Sequence, residues 1–520
     1  MYDVNKLREY FPSTTVYKDP SVTAMFKAAK IEAFLRDWII KRKADADGRI
    51  EDIDALSQYV AKIIPPRKDK ERLEDEARTQ GETRPFLAKV NISFNSGADY
   101  YSFEIPSLGF RHSHTIIEDY VWDRIKDELI GEAGGWGLVK LGYMPPEGGK
   151  KNGRFTLLDY KNFCPYEVDL NAFREARTHF DTEEWMNIIL GAIDYNPDGF
   201  ARHGWIECDV WNAKHTMLTR LLPFIQPRIN LIELAPQQTG KSYIFGKVGK
   251  YGWLMSGGNV SRTMLFLDRR SGARAKGLVT FNDFVAIDEV KSISFTNDKE
   301  MGGILKGYME DGFATVGETR VDGEAGIIFL GNIAMENMDA SKDMLRELPD
   351  IFRDSALIQR IHGFVPGQYI PPLSPRMFIS GWSLNTEYFT EIMHLLRSPA
   401  ETMRYRGLAE SLVEVSAKSG DTSGREQEAI MRLCTAYLKL FFPHADAVLI
   451  KDIKFKQEFD QYCLSPAKRM QETVLRQMKI INPGMFGNTG FATYKVRYSD
   501  AEQETPISPQ LRERMVINEE

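Results

Sequence analysis

The sequence contains few cysteines, no long apolar run and no excess of positive charge. Its four cysteines among 520 residues form no C-x-x-C pair, which excludes a disulfide scaffold and a zinc knuckle. No stretch approaches the ~20 consecutive apolar residues that cross a bilayer, and the first residues lack the basic and apolar pattern of a secretory signal. These absences predict a cytoplasmic protein without a membrane segment.

Charge and composition narrow the class of protein further. Asp and Glu outnumber Lys and Arg, 73 to 67, for a net charge of −6, so a nucleic-acid partner would have to be met by a local basic segment. With 43% apolar and 27% charged residues, the chain has the composition of a folded globular protein. Its length predicts two to four domains.

Hydrophobic periodicity divides the chain into regions. Apolar residues recur at helical spacing over 53–64, and alternation over 90–94 and 101–105 predicts a β-hairpin. Beyond about residue 175, helical patterns and apolar strands alternate, which is typical of an α/β fold. We therefore expect four parts: an α+β N-terminal domain (1–175), which could form a collar on DNA, an α/β core (176–383), a helical lid (384–485) and a loose tail (486–520).

The strongest local signal follows the apolar strand 231–234. The segment Ala235-Pro236-Gln237-Gln238-Thr239-Gly240-Lys241-Ser242 has the Gly-Lys-Ser end of a phosphate-binding loop. In such a loop, backbone N–H groups surround the phosphates of ATP, the lysine reaches the β- and γ-phosphates, and the hydroxyl contacts Mg²⁺. Alanine stands where these loops have their first glycine, so residue 235 must avoid a positive φ or accept strain. A chance Gly-Lys-Ser at a strand-to-helix turn is the alternative.

A second signal is Phe284-Val285-Ala286-Ile287-Asp288-Glu289, in which two acids follow four apolar residues. This pattern places both carboxylates at the carboxyl end of a buried parallel strand, where α/β sheets bind ligands. We expect Asp288 to hold Mg²⁺ and Glu289 to polarise the attacking water. A solvated strand end is the alternative, but the spacing from Lys241 favours an ATPase.

Three further residues are candidates for contact with the nucleotide. Asn332 ends the strand 326–332 and could hold the γ-phosphate and the water, or could be a turn residue. Arg360 is a planar, permanently charged donor that could reach the γ-phosphate of a neighbouring subunit, with Arg353 as its competitor. Arg425 opens a helix of the third region and could reach the nucleotide from a lid. For the arginines, a surface position is the alternative.

A basic segment offers contacts for DNA phosphates. Over residues 261–276, five Lys and Arg side chains accompany one acid, and Arg320 follows on a predicted hairpin with its turn near Gly317. We expect sequence-independent binding of double-stranded DNA with a steep salt dependence, and a solvated charged loop is the alternative. The candidate contacts are Arg269, Arg270, Arg274, Lys276 and Arg320.

In this order, these features resemble the AAA+ ATPases. The hairpin 313–321 ahead of the Asn332 strand is similar to the pore hairpin of minichromosome-maintenance helicases. The chain resembles more closely the BrxL family, Lon-related ATPases of the bacteriophage-exclusion (BREX) defence system, over about residues 20–485. The segments that carry this resemblance include Glu183-Glu184-Trp185, Leu222-Pro223-Phe224-Ile225 and Arg360-Ile361-His362-Gly363.

The resemblance implies an AAA+ core and a homo-oligomeric ring of six subunits, with stacking of two rings as an option. Such a ring would enclose duplex DNA and act with other BREX proteins against phage replication. It implies that Lys241 and Ser242 bind phosphate and Mg²⁺, and that Asp288 and Glu289 hold the metal and activate water. Asn332 becomes sensor 1, Arg360 a finger supplied to the neighbouring subunit, and Arg425 sensor 2.

Longer members of the family continue into a Lon-like protease domain. Here the last lid helix is expected to end near Ile481, and the roughly forty residues beyond it are too few for such a domain. We therefore expect no protease activity. Two other functions stay open: a protein unfoldase that feeds a separate protease, and a nucleotide-switched assembly scaffold.

Overall fold

The computed structural model describes residues 2–95, 99–126, 134–146, 153–200, 209–266, 277–295, 297–416 and 424–498. The elements of the N-terminal region are α1 (Val4–Tyr10), β1 (Thr15–Lys18), α2 (Pro20–Ala28), α3 (Ala33–Lys43), α4 (Ile53–Ile63), α5 (Lys70–Thr79), β2 (Phe86–Asn95), β3 (Tyr100–Glu104), β4 (Thr115–Ile116), α6 (Asp119–Ile125), β5 (Gly134–Met144) and β6 (Arg154–Asn162).

The central region alternates helices and strands. Its elements are α7 (Leu170–Thr178), α8 (Thr182–Ala192), α9 (Val210–Thr219), α10 (Leu222–Ile225), β7 (Leu231–Ala235), α11 (Lys241–Lys247), β8 (Gly252–Val260), α12 (Arg262–Leu265), α13 (Leu278–Phe281), β9 (Phe284–Phe295), α14 (Asp298–Asp311), β10 (Phe313–Val316), β11 (Thr319–Asp322), β12 (Gly326–Asn332), α15 (Ser355–Ile358), β13 (Gly363–Val365) and β14 (Gly381–Leu384).

The third region is mainly helical. Its elements are α16 (Thr386–Leu395), α17 (Pro399–Leu412), β15 (Val413–Ser416), α18 (Gly424–Phe441), α19 (Ile453–Phe459), α20 (Ser465–Ile481), α21 (Pro483–Phe486) and β16 (Thr493–Val496). β16 lies in the segment predicted as a tail, and it pairs antiparallel with β15.

A five-stranded sheet forms the core of the N-terminal region. Its strand order is β3-β2-β5-β6-β4, and the pairs are antiparallel except for β4 with β6. The predicted hairpin is confirmed as β2 and β3. Leu73 of α5 and Val121 of α6 pack against Phe103 and Val139 of the sheet, all four buried, which keeps one apolar face of the sheet out of water.

A second five-stranded sheet forms the centre of the molecule. Its order is β13-β7-β12-β9-β8, and every adjacent pair is parallel. All five residues of β7 are buried, as are six of the seven residues of β12, as expected for strands covered on both faces. The predicted α/β fold with a parallel sheet is confirmed.

The first residues of the chain pack against the central region. β1 pairs antiparallel with β14, so Thr15 lies opposite Leu384, and Phe11 packs in the same core as Trp185. The N-terminal segment is therefore fixed to the central region through residues about 370 positions later in the chain. In the part of the chain that the structure describes, no helix is both long and apolar enough to cross a membrane.

A buried cluster of charges joins these regions. Lys18 of β1 donates to Asp194 at 2.7 Å, and Arg36 of α3 donates to both Asp194 oxygens at 2.6 and 2.9 Å. Asp37 accepts from Arg36 and lies 3.2 Å from Lys18. Tyr243 of α11 also donates to Asp194. Two cations and two carboxylates thus compensate each other, as buried charges require.

Candidate nucleotide-binding site

The order of the parallel strands brings the predicted site residues to one edge of the sheet. β7 lies between β13 and β12, and β12 lies between β7 and β9. The carboxyl ends of β7, β12 and β9 therefore adjoin, and they carry the predicted phosphate loop, Asn332 and the two acids. Open parallel sheets bind ligands at this edge.

The loop after β7 turns through left-handed backbone at two residues. Gln238 has φ 63° and Gly240 has φ 80°. Ala235 is the last residue of β7 and is extended, so it does not need the positive φ that a first glycine allows. A Cβ on Gly367, which follows β13, would lie 2.4 Å from the Cβ of Ala235. Alanine fits at position 235 because residue 367 is glycine.

Lys241 is buried in the loop and contacts the end of β12. Its Nζ donates to Asn332 Oδ1 at 2.8 Å and to the Pro236 carbonyl at 3.2 Å. Burial lowers the pKa of Lys241 to about 8, because a charged ammonium loses hydration there. A polyphosphate placed in the loop would supply the negative charge that this ammonium lacks.

Ser242 and Asp288 are in direct contact across the loop and the acid strand. Ser242 Oγ donates to Asp288 Oδ2 at 2.6 Å, and Asp288 is buried. Mg²⁺ prefers one or two protein oxygens together with phosphates and water. The hydroxyl and the carboxylate are therefore a donor set that fits Mg²⁺ beside a nucleotide.

Glu289 is exposed and its backbone is strained. It has φ 54°, a region that residues with a Cβ seldom occupy. Its N–H donates to Asp288 Oδ1 at 2.8 Å, and a Cβ on Gly257 would lie 3.1 Å from Glu289 Oε2. The register of β8 with β9 shifts between Ser256 and Gly258. The positive φ of Glu289 coincides with this irregularity, and its side chain is exposed whereas that of Asp288 is buried.

Sequence reasoning missed a buried arginine that supports the loop. Arg220, directly after α9, donates to Thr239 O at 2.6 Å and pairs with both Glu233 oxygens of β7. Both side chains are almost inaccessible to water, 0% and 1% exposed. Glu233 was the available signal, because a charge within an otherwise apolar buried strand requires a partner.

The arginine candidates lie at the opposite edge of the sheet. Arg360 precedes β13, and its carbonyl accepts from Asn230, the residue before β7. Strands of about five residues separate the two edges by roughly 15 Å. Arg425 also lies there, since its Nε donates to Glu310 at the end of α14. Arg353 instead pairs with Asp343 at 2.7 Å.

The predicted DNA contacts fall partly outside the described residues. Arg269, Arg270, Arg274 and Lys276 lie in 267–276, which the structure does not describe. The predicted hairpin is confirmed as β10 and β11, with Gly317 at φ 66° in its turn. Its Arg320 is exposed, pairs with Asp322 at 2.9 Å and stacks on Phe313.

The parallel sheet and the loop residues define an ATPase-like α/β protein, and comparison with known proteins specifies the family. Residues 155–492 match the family described as "Lon-like protease BrxL-like, ATPase domain", and residues 9–143 match "BREX system Lon protease-like protein BrxL N-terminal". The chain belongs to the BrxL family.

Two relatives are similar over nearly the whole chain. Both are named "Lon-like protease BrxL". The protein from Escherichia coli O9:H4 (strain HS) is 26% identical over 97% of this chain and 68% of its own length. The protein from Bacillus cereus (strain H3081.97) is 26% identical over 97% of this chain and 70% of its own length.

Proposed function

We propose that the central region is an AAA+ core that hydrolyses ATP. One observation carries the proposal: at the carboxyl edge of the parallel sheet, Lys241 is hydrogen-bonded to Asn332 and the adjacent Ser242 to Asp288. When the five strands of the central sheet are numbered by their order in the chain, they lie side by side in the order 5-1-4-3-2. This order brings a loop, a polar amide and an acid pair to one edge of the sheet, which supports ATP hydrolysis there.

The position of each side chain determines its proposed role in hydrolysis. Residues 235–242 surround the phosphates, with Lys241 on the β- and γ-phosphates and Asn332 beside the terminal one. Ser242 and Asp288 would hold Mg²⁺, which neutralises phosphate charge when bound. Glu289 accepts a proton from water, because it directly follows Asp288 and its carboxylate is exposed.

A ring explains why two arginines lie far from the loop of their own chain. Arg360 and Arg425 lie at the amino edge of the sheet, so a neighbouring subunit is the nearest source of a triphosphate for them. We infer that Arg360 is the finger and that Arg425 acts from the same side. A ring of six subunits, single or stacked, would bring the two arginines of each subunit to the phosphate loop of the next subunit.

We further infer that the ring encloses double-stranded DNA and acts in BREX defence in the cytoplasm, together with other BREX proteins. The family description names the BREX system, and strand β11 of the hairpin β10–β11 carries the exposed Arg320. Binding through phosphates predicts an affinity that falls steeply with salt. Equal affinity at 50 and about 200 mM salt would contradict this part of the proposal.

ATP turnover with different additives tests the function. Stimulation by duplex DNA is the expected result. The relatives' printed name, "Lon-like protease", favours protein handling as the second candidate, which predicts stimulation by unfolded protein instead. Slow hydrolysis that neither additive stimulates would indicate a nucleotide-switched scaffold. The Glu289→Gln variant, measured in parallel, separates turnover by this site from contaminating activity.

A further inference from the structure

The two arginines at the amino edge share one carboxylate. Arg360 Nε lies 2.9 Å from Glu310 Oε2, and Arg425 Nε donates to Glu310 Oε1 and Oε2 at 2.8 and 2.9 Å. Glu310 lies in the last turn of α14, which Gly312 ends in a left-handed conformation. The carboxylate is therefore carried by a helix of the core, whereas Arg425 comes from the third region.

The remaining nitrogens of the arginines are partly occupied. Arg360 Nη1 donates to the Ala356 carbonyl at 2.5 Å, and Arg425 Nη1 donates to Gln359 Oε1 at 2.9 Å. Within the part of the chain that the structure describes, Nη2 of each guanidinium has no hydrogen-bond acceptor. Each arginine is thus held on one side and keeps N–H groups available on the other.

Electrostatics explains why a carboxylate is needed between them. Two guanidinium groups near one another repel. The pKa of Arg360 is lowered mainly by burial; the charge of Glu310 raises it, and the charge of Arg425 lowers it. Arginine keeps its charge in proteins, so without Glu310 the repulsion between the two guanidinium groups would be uncompensated. The shared carboxylate compensates both charges, through hydrogen bonds from Arg425 and through a 2.9 Å ion pair with Arg360.

We propose that Glu310 is a positioning residue that orients Arg360 and Arg425 as a pair of donors for the triphosphate bound by the neighbouring subunit. The inference rests on the proposed ring ATPase and deepens it, because it assigns the alignment of both arginines to one side chain of the core. In this arrangement Glu310 touches neither the nucleotide nor the attacking water. Its effect is on the rate of ATP hydrolysis in the neighbouring subunit.

The test compares Glu310→Gln with Glu414→Gln. Glu310→Gln keeps the size of the side chain and removes its charge, whereas Glu414 is an exposed residue of β15. We expect Glu310→Gln to lower kcat about 10- to 100-fold, because misplaced donors lose much of their effect on the transition state. Equilibrium ATP affinity and ring size should stay unchanged, and Glu414→Gln should behave as the parent protein.

Mixed rings distinguish positioning from general damage. Glu310→Gln subunits should regain activity when they are mixed with Lys241→Ala subunits. At some interfaces the intact loop of a Glu310→Gln subunit then faces the intact arginine pair of a Lys241→Ala subunit. Arg360→Ala subunits should be rescued in the same way. If Arg360→Ala is rescued and Glu310→Gln is not, or if Glu310→Gln has normal kcat, the positioning role is wrong. If neither is rescued, the ring arrangement itself is wrong, and this inference with it.

A second variant covers the case in which Glu310→Gln fails to assemble. Glu310→Asp keeps the charge and shortens the side chain by one methylene, so we expect it to form rings with an intermediate kcat. A kcat equal to that of Glu414→Gln, in rings of normal size, would show that alignment by this side chain does not limit the reaction.

Discussion

At residue 289, backbone strain and the proposed chemistry coincide. Left-handed backbone costs a residue with a Cβ about 1–2 kcal/mol, and asparagine tolerates it better. We predict that Glu289→Gln lowers the rate of ATP hydrolysis about 100-fold or more while ATP still binds. Glu289→Asn should lose hydrolysis equally and raise the free energy of unfolding by about 1 kcal/mol over Glu289→Gln.

Two measurements check this prediction. ATP turnover and equilibrium nucleotide binding separate the lost proton acceptor from lost affinity, and denaturant unfolding compares the two variants. Normal hydrolysis in Glu289→Gln would show that another group activates the water. Equal stability of the two variants would show that φ 54° at this residue costs little.

The buried ammonium of Lys241 makes ATP binding sensitive to pH. Its pKa in the free protein is about 8, and bound phosphates would raise it because they favour the charged form. Below pH 8 the lysine is already protonated and affinity is constant. Above that pH, binding must take up a proton, so we predict that Kd rises about tenfold per pH unit.

Nucleotide binding measured from pH 6.5 to 9.5 checks whether Kd rises in this way. Lys241→Arg is the matched control, because arginine stays charged over the whole range, and its weaker binding should not change as the pH rises. A Kd for the parent protein that is flat to pH 9.5 would contradict the lowered pKa.

Among the elements, the contact between the ends of β7 and β13 accounts for the altered loop. A Cβ on Gly367 would lie 2.4 Å from that of Ala235 and 2.9 Å from Glu233 Oε1. We predict that Gly367→Ala lowers the free energy of unfolding by about 2 kcal/mol and weakens ATP binding. Ala235→Gly should cost little alone and should recover much of the loss when combined with Gly367→Ala.

A double-mutant cycle measures this coupling. Unfolding free energy and ATP affinity are determined for the parent, both single variants and the double variant. Additive effects, with no coupling between the two positions, would mean that the alanine is accommodated in another way.

The elements also show which features a sequence can predict. The loop 235–242 and the acids 288–289 follow apolar runs, so local patterns were sufficient to predict the strands that end there. The pairing of β1 with β14 and of β15 with β16 joins residues far apart in the chain, and short runs contain no signal for it. The charge of Glu233 in an apolar strand indicates that it needs a partner, but that the partner is Arg220, and that Glu310 meets two arginines, is decided only when the sheet is assembled.

For the whole molecule, the cluster around Asp194 couples the N-terminal region to the helix after the phosphate loop. Asp194 accepts from Lys18, Arg36 and Tyr243, and the two cations hold its pKa well below the usual range. A lowered pKa means that the cluster contributes full stability above the unfolded pKa of about 3.9 and loses it as the pH falls further.

We predict that Asp194→Asn lowers the free energy of unfolding by about 3 kcal/mol near neutral pH, because it leaves two buried cations with one carboxylate. Asparagine also tolerates the φ of 73° at this residue, so the change tests charge rather than backbone. ATP affinity should fall as well, since Tyr243 follows Lys241 and Ser242 on α11. Denaturant unfolding and nucleotide binding, with exposed Asp47→Asn as the control, measure both effects. Loss of stability with unchanged ATP affinity would show that the cluster joins the two regions without supporting the loop.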